Sequence, residues 1–330
     1  MICLKALVIG YGSIGKRHVK NLMSIPNMEI IIFSKHTKSD LKIGKKCKIL
    51  NSIEECIKEK PDIGFVTNYT SYHVPTAKKL ANAGIHLFIE KPLSNSKNNI
   101  SALTNLIKKK KLVTQIGCNM RFHDCIKKIK DIILTNEIGR ILSVHVECGS
   151  YLPDWHPNED YRKSYASRAD LGGGVVLTCI HEIDYLYWFF GMPRQVFSMG
   201  GKFSELEVKV DDLSVSIMKF KNNIIAELHL DYFQRPESRS CKIVGTKGTI
   251  YWDSDTNHVL VYNFEKKKWK KKFSIKNYDR NKMYLDELYH FIQCVKNKEK
   301  SINTISQGVK TLEIALAIID SSKTGKVKKL

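Results

Sequence analysis

Residues 4–18 read LKALVIGYGSIGKRH, an apolar run that closes on Gly10-Tyr11-Gly12-Ser13-Ile14-Gly15 and passes directly into helix-forming residues. A short apolar run ended by glycines predicts a strand, a tight turn and the opening of a helix. In that setting GxGxxG is a dinucleotide fingerprint. Gly10 permits the turn, Gly12 lets the backbone approach a pyrophosphate, and Gly15 allows close helix packing. Ser13 and Ile14 open the helix whose N-terminus would hold the phosphates. Working outward, runs at 29–33, 62–67 and 86–89 predict further strands, with helices after Ser13, Ile53, Tyr72 and Ser96. This alternation is the rhythm of a parallel sheet with crossover helices.

From about residue 140 the pattern changes to long alternating strands at 141–147, 213–220, 224–232, 240–245, 249–252 and 259–264, joined by short turns. Closely spaced strands favour an antiparallel sheet. Two amphipathic helices close the chain, one with Leu285, Leu288, Ile292 and Val295 on a stripe and the other with Val309, Leu312, Leu316 and Ile319. The expected architecture is α/β in two domains: a dinucleotide-binding domain with a parallel sheet over 1–120, then a domain with a mostly antiparallel sheet over 121–330. Residues 213–232 carry apolar side chains on both phases, so one sheet face is expected to meet another subunit in a homodimer or homotetramer.

The 330 residues are 43% apolar, enough for two cores, and no apolar run approaches the roughly 20 residues that span a bilayer. No secretory leader precedes the first strand, so the expectation is a cytoplasmic protein without a membrane partner. The net charge of +21 is uneven: residues 1–120 carry 20 basic and 7 acidic side chains, 121–254 carry 17 and 18, and 255–330 carry 17 and 8. Lysine supplies 45 of the 54 cations, and the densest run, around Trp269, has the look of a solvated hairpin. No nucleic-acid motif accompanies the charge, so no nucleic-acid partner is expected. The nine cysteines are scattered without a CxxC, which argues for reduced thiols and against a metal site.

The second strand of such a domain usually ends in an acid that accepts from the adenine ribose 2′-hydroxyl. Here the position reads Phe33-Ser34-Lys35-His36. Ser34 can donate to a 2′-phosphate and Lys35 can supply charge, which favours NADP, with NAD possible.

Together, GxGxxGxxH (Gly10 to His18), the segment from Asn68 to His73, Glu90-Lys91-Pro92, and GGGVVLTCIHEID (Gly172 to Asp184) resemble the Gfo/Idh/MocA family along essentially the whole chain. The resemblance implies a Rossmann domain over 1–120 followed by an α/β domain with a large, mostly antiparallel open sheet over 121–330, and hydride transfer between a nicotinamide and a secondary alcohol of a sugar, cyclitol or related substrate. It implies Asn68, Glu90 and Lys91 beside the cofactor, with Lys91 contacting the reacting hydroxyl. His181 matches the family's catalytic histidine, and a histidine with a pKa of ~6.5 can accept a proton near neutrality. Lys91–Pro92 is a candidate cis peptide, as in many relatives. Asp184, one helical turn beyond His181, either orients the imidazole or makes a packing contact.

One position departs from the pattern. Many inositol-dehydrogenase-like members carry an aspartate four residues before the histidine, where this chain has Leu177. Tyr165, Asp184 or Glu182 could assist instead. The long loop at 150–174 is rich in aromatic and charged groups, and long loops in compact domains are often functional. Trp155 and Tyr165 can stack on a sugar or base, and Arg162 and Arg168 can bind an anion bidentately. An oligomer contact is the other reading of this loop. Asn119 and Arg121 sit where relatives line the substrate cleft, while His73 is cofactor-adjacent or structural. The loop and the helix after it resemble members associated with surface-glycan or nucleotide-sugar biosynthesis. The expected activity is NAD(P)-dependent oxidoreduction of a sugar or nucleotide sugar. A polyol or cyclitol dehydrogenase and a non-catalytic nicotinamide-binding regulator are the alternatives.

Overall fold

The computed structural model describes residues 4–34 and 47–330. These fall into two compact units, one of Met1–Cys118 with Tyr284–Val309 and one of Asn119–Met283 with Lys310–Leu330.

The first unit holds strands β1 (Leu4–Ile9), β2 (Met28–Phe33), β3 (Cys47–Leu50), β4 (Ile63–Val66), β5 (His86–Glu90) and β6 (Thr114–Gly117). They form one sheet in the order β3-β2-β1-β4-β5-β6, parallel throughout. That order places the reversal of direction between β1 and β4, where open α/β sheets bind ligands at the carboxyl ends of their strands. The crossovers carry α1 (Ser13–Met23), α2 (Ile53–Lys58), α3 (His73–Asn82) and α4 (Ile100–Lys109). Residues 6–9 of β1 are buried on both faces, as a parallel strand covered by helices must be. The short β3 and β6 were not anticipated. Each has only four residues and lies at the rim of the sheet, so its periodicity is too brief to register.

The second unit carries α5 (Asp124–Leu134), α6 (Val175–Thr178) and α7 (His181–Phe190), with strands β7 (Ile141–Gly149), β8 (Gln195–Gly201), β9 (Leu213–Lys219), β10 (Ile225–Asp231), β11 (Ser238–Gly245), β12 (Gly248–Asp253), β13 (His258–Asn263), β14 (Lys268–Ser274) and β15 (Lys328–Lys329). The nine strands run β14-β13-β12-β11-β7-β10-β9-β8-β15. Only the central pair β7 and β10 is parallel, so the sheet is mixed and mostly antiparallel. The lysine-rich run is indeed one arm of a hairpin, pairing Trp269 with Tyr262 at the sheet edge, where lysines discourage edge-to-edge association.

Helices α8 (Arg280–Asn297) and α9 (Ile305–Thr324) close the chain. Here the expected unbroken second domain over 121–330 needs correction, because residues 284–309 belong to the first unit. The reason is packing: Leu288, Phe291, Ile292 and Val295 join one core with Val8, Ile32, Phe65 and Phe88. Periodicity identified the apolar stripe but could not name the sheet that it covers.

Candidate active site

In the first unit the glycine turn is built by contact. Gly10 has φ +101° and lies so close to the β4 loop that a Cβ would sit 2.8 Å from the backbone of Asn68. A Cβ on Gly15 would stand 2.1 Å from the carbonyl oxygen of Gly10. Thr67 fastens the same turn, its hydroxyl donating to the carbonyls of Ile9 (3.0 Å) and Gly10 (2.8 Å). Gly12 differs, since a Cβ there would meet nothing within 4 Å. It caps α1 without a side-chain hydrogen bond, and the first turn of that helix carries no acid. A helix N-terminus with free amides and an open approach over Gly12 suits an anionic pyrophosphate. The residues present therefore fit a dinucleotide, held by Gly10 to Gly15 with Ser13 and Ile14 at the helix start.

Beside this turn, β4 and β5 deliver the other expected groups. Asn68 follows β4, donating from Nδ2 to Thr76 Oγ1 at 2.9 Å. Glu90 ends β5 and is buried, with Oε1 2.7 Å from His18 Nε2 and Oε2 accepting the backbone N–H of Lys91 at 3.2 Å. Lys91–Pro92 is cis, as expected. His73 is buried against two backbone carbonyls, with Nδ1 2.8 Å from Pro92 O and Nε2 3.0 Å from Asn68 O. Burial pushes its pKa below the ordinary histidine value. A neutral ring has a single N–H and so donates to one of these carbonyls at a time. Ser34 follows β2 and is buried, its backbone N–H donating to Leu50 O at 3.3 Å. Lys35 lies outside the described residues.

In the second unit the triple glycine acts as a close-approach turn. Gly172 and Gly174 adopt φ +87° and +102°, and a Cβ on Gly173 would stand 2.2 Å from Tyr165 O. Tyr165 is thereby held against the glycines that lead into α6 and α7. His181 opens α7 and is largely buried. Leu177 is buried in α6 and offers no hydrogen-bond acceptor from its side chain.

Asp184 and Arg121, expected above as substrate-binding candidates, form a buried ion pair. Arg121 Nε and Nη2 donate to Asp184 Oδ2 and Oδ1 at 2.7 and 2.8 Å, and Thr311 Oγ1 donates to Oδ1 at 3.0 Å, with both members of the pair buried. These contacts give Asp184 a packing contact, one of the two roles expected of it. Glu182 Oε1 lies 2.9 Å from Arg239 Nε, in ion-pair contact. Neighbouring Asn119 is buried in the short helical turn with Arg121. In the loop, Trp155 Nε1 donates to Ser150 Oγ at 2.8 Å and its ring packs edge-on to Tyr232. Arg162 is exposed and forks between Asp160 and Glu207, and its bond to Asp160 is the main reason that the Asp160 carboxyl lies below its usual range. Arg168 pairs with Asp170 at 2.5 Å.

Family models cover most of both units. The oxidoreductase family with an NAD-binding Rossmann fold matches residues 4–118, and the GFO/IDH/MocA C-terminal domain matches residues 126–251. The chain belongs to the Gfo/Idh/MocA family. It is similar to the oxidoreductase YrbE of Bacillus subtilis (28% identity, covering 96% of this chain and 94% of that one) and to the myo-inositol 2-dehydrogenase of Thermotoga maritima (26%, 88% of each). Levoglucosan dehydrogenase, solved in complex with NADH and levoglucosan, shares the fold at a TM-score of 0.87 with 16% identity over 99% of both chains. As a member of this oxidoreductase family the chain is a nicotinamide-dependent dehydrogenase or reductase. Two residues that sequence reasoning passed over as site components are Thr67 and His18. The second was signalled by its place in GxGxxGxxH, while the first becomes visible only through its contacts.

Proposed function

We propose that the protein interconverts a secondary alcohol and a ketone on a sugar or cyclitol, with Lys91 and His181 acting on the same hydroxyl. The observation that carries this reading is the placement of Lys91 directly after β5, two strands along the same parallel sheet from β1, which ends in the open Gly12 turn. A nicotinamide bound there supplies the acceptor or donor of hydride. In the oxidative direction His181 takes the hydroxyl proton as the carbinol C–H leaves as hydride, and the Lys91 ammonium stabilises the alkoxide that becomes the carbonyl. The names of the inositol and levoglucosan dehydrogenases support a sugar or cyclitol, and they lend nothing to a nucleotide sugar. Turnover of myo-inositol and levoglucosan with NAD and NADP tests the class. Lys91→Ala and His181→Ala are each expected to lower turnover at least about a hundredfold while nucleotide binding survives. Both variants turning over within a few fold of the parent would remove the assignment.

The same reading has NADP(H) bound more tightly than NAD(H), because the sequence after β2 reads Ser34-Lys35-His36, without the usual acid, and a serine hydroxyl can donate to a 2′-phosphate. Calorimetry with both nucleotides decides it, and Ser34→Asp should move the preference toward NAD. A regulator that binds nucleotide without turnover is the second reading. It draws on buried Leu177, and nucleotide binding with no turnover on a broad polyol panel would favour it.

A further inference from the structure

We infer that His18 is a positioning residue for Lys91, acting through Glu90; this rests on the reading of Lys91 given above. His18 lies in α1, one turn beyond the fingerprint glycines, and is 1% exposed. Its ring is walled by Phe65 and Phe88, with centroids 5.3 and 4.9 Å away. Among the described residues its one polar contact is Nε2 to Glu90 Oε1 at 2.7 Å, and Nδ1 has no partner there. The N–H therefore belongs on Nε2, donating to the carboxylate. The other carboxylate oxygen accepts from the backbone of Lys91. Space for the carboxylate is provided by Gly117 on β6, where a Cβ would stand 3.1 Å from Glu90 Oε1.

A continuous strut thus runs from the nucleotide-binding helix, through an imidazole and a carboxylate, to the backbone of the residue assigned to the reacting hydroxyl. Fold stability does not call for it. An imidazole and a carboxylate buried among phenylalanines could be replaced by apolar groups at little or no cost, since desolvation consumes most of what such a pair gains. Positioning does call for it, because a displacement of ~1 Å can cost ~10²-fold in rate. On the far side of Lys91, Pro92 is held separately through its carbonyl by His73. Loss of His18 therefore releases Lys91 on one flank while the other remains anchored.

The test reads Lys91 directly. Cyanate carbamylates uncharged amines, so its rate at Lys91, followed by peptide mass spectrometry on the full chain with NADH bound, reports the setting of that amine whether or not it meets substrate. In His18→Phe, which keeps the aromatic packing and deletes the donor, Lys91 is expected to label at least fivefold faster, with labelling of Lys266 and the Kd for NADH changed less than twofold. His18→Gln, which returns an N–H near the same place, is expected to restore the parent rate. If His18→Phe does not fold, Glu90→Gln is expected to speed Lys91 labelling at least fivefold as well, because its amide turns one of the two acceptors into a donor. Lys91 labelling within twofold of the parent, or no restoration by glutamine, overturns the inference. Failure of the site assignment is separate, appearing as Lys91→Ala retaining turnover.

Discussion

A methyl group added at Gly12 projects into open space, while one added at Gly15 collides with a carbonyl 2.1 Å away. Gly12 has φ −73°, which alanine adopts freely. Gly12→Ala is therefore expected to keep the parent melting temperature and lose at least tenfold in nucleotide affinity. Gly15→Ala is expected to lose several degrees of Tm as well, because the clash is with backbone. Thermal scans with and without NADH separate the two. The Arg121–Asp184 pair makes a different residue-scale prediction. Either single substitution to alanine leaves a buried charge unpaired, at about 3–5 kcal/mol. Arg121→Met combined with Asp184→Leu should recover most of that loss in urea unfolding, since the pair supplies fit rather than net stability. A double variant as unstable as the singles would show that other groups depend on the pair.

At the scale of the element, α5 depends on a histidine for its start. His123 Nδ1 accepts the N–H of Cys125 at 3.2 Å, and the ring packs against Trp252 and Tyr278. Burial first, then the nearby Arg239 charge, pushes its pKa down to about 4. Protonation would remove both the acceptor and the apolar fit. The unfolded chain takes up a proton near pH 6.5 and the folded one does not until about pH 4. Stability from this residue is thus complete above pH ~6.5 and lost as pH falls through that window, amounting to about 3 kcal/mol. Urea midpoints at pH 7 and pH 4.5 measure it. His123→Asn, which can still cap, should flatten the dependence by most of that amount, and an unchanged slope would refute the assignment.

For the molecule as a whole, the outer face of the second sheet is the feature that asks for a partner. Strand β9 is built inside out. Ser214 and Ser216 face inward and bond with Ser198, while Val215 and Ile217 stand 43% and 48% exposed, with Ile225 beside them on β10. Apolar β-branched residues on the solvent face of a large sheet mark an interaction surface, and we propose that a second copy of the chain covers it. The parent protein should scatter light as a dimer or tetramer at micromolar concentration, and Val215→Lys with Ile217→Lys should yield a folded monomer. A monomeric parent would overturn the proposal.

Local chemistry was enough to read the nucleotide-binding half. GxGxxG after an apolar run admits few structures because Gly10 and Gly15 are demanded by backbone contact, and Lys91 and His181 stood out as candidates because short motifs carry them. The roles of Arg121, Asp184 and His18 were not legible in the same way. Arg121 and Asp184 are 63 positions apart and Glu90 is 72 beyond His18, and no local pattern says which distant charge will meet which. The apolar stripe of α8 was visible for the same reason that its destination was not. Helical periodicity is a property of neighbouring residues, whereas the choice of Phe65 and Phe88 as partners belongs to the packed core. The sequence by itself determined the longer elements and the residue types at the candidate site, while four-residue rim strands such as β3 and β6 were too short to register. Which buried polar groups hold one another, and therefore which remain available for chemistry, was decided only when the tertiary structure removed them from water.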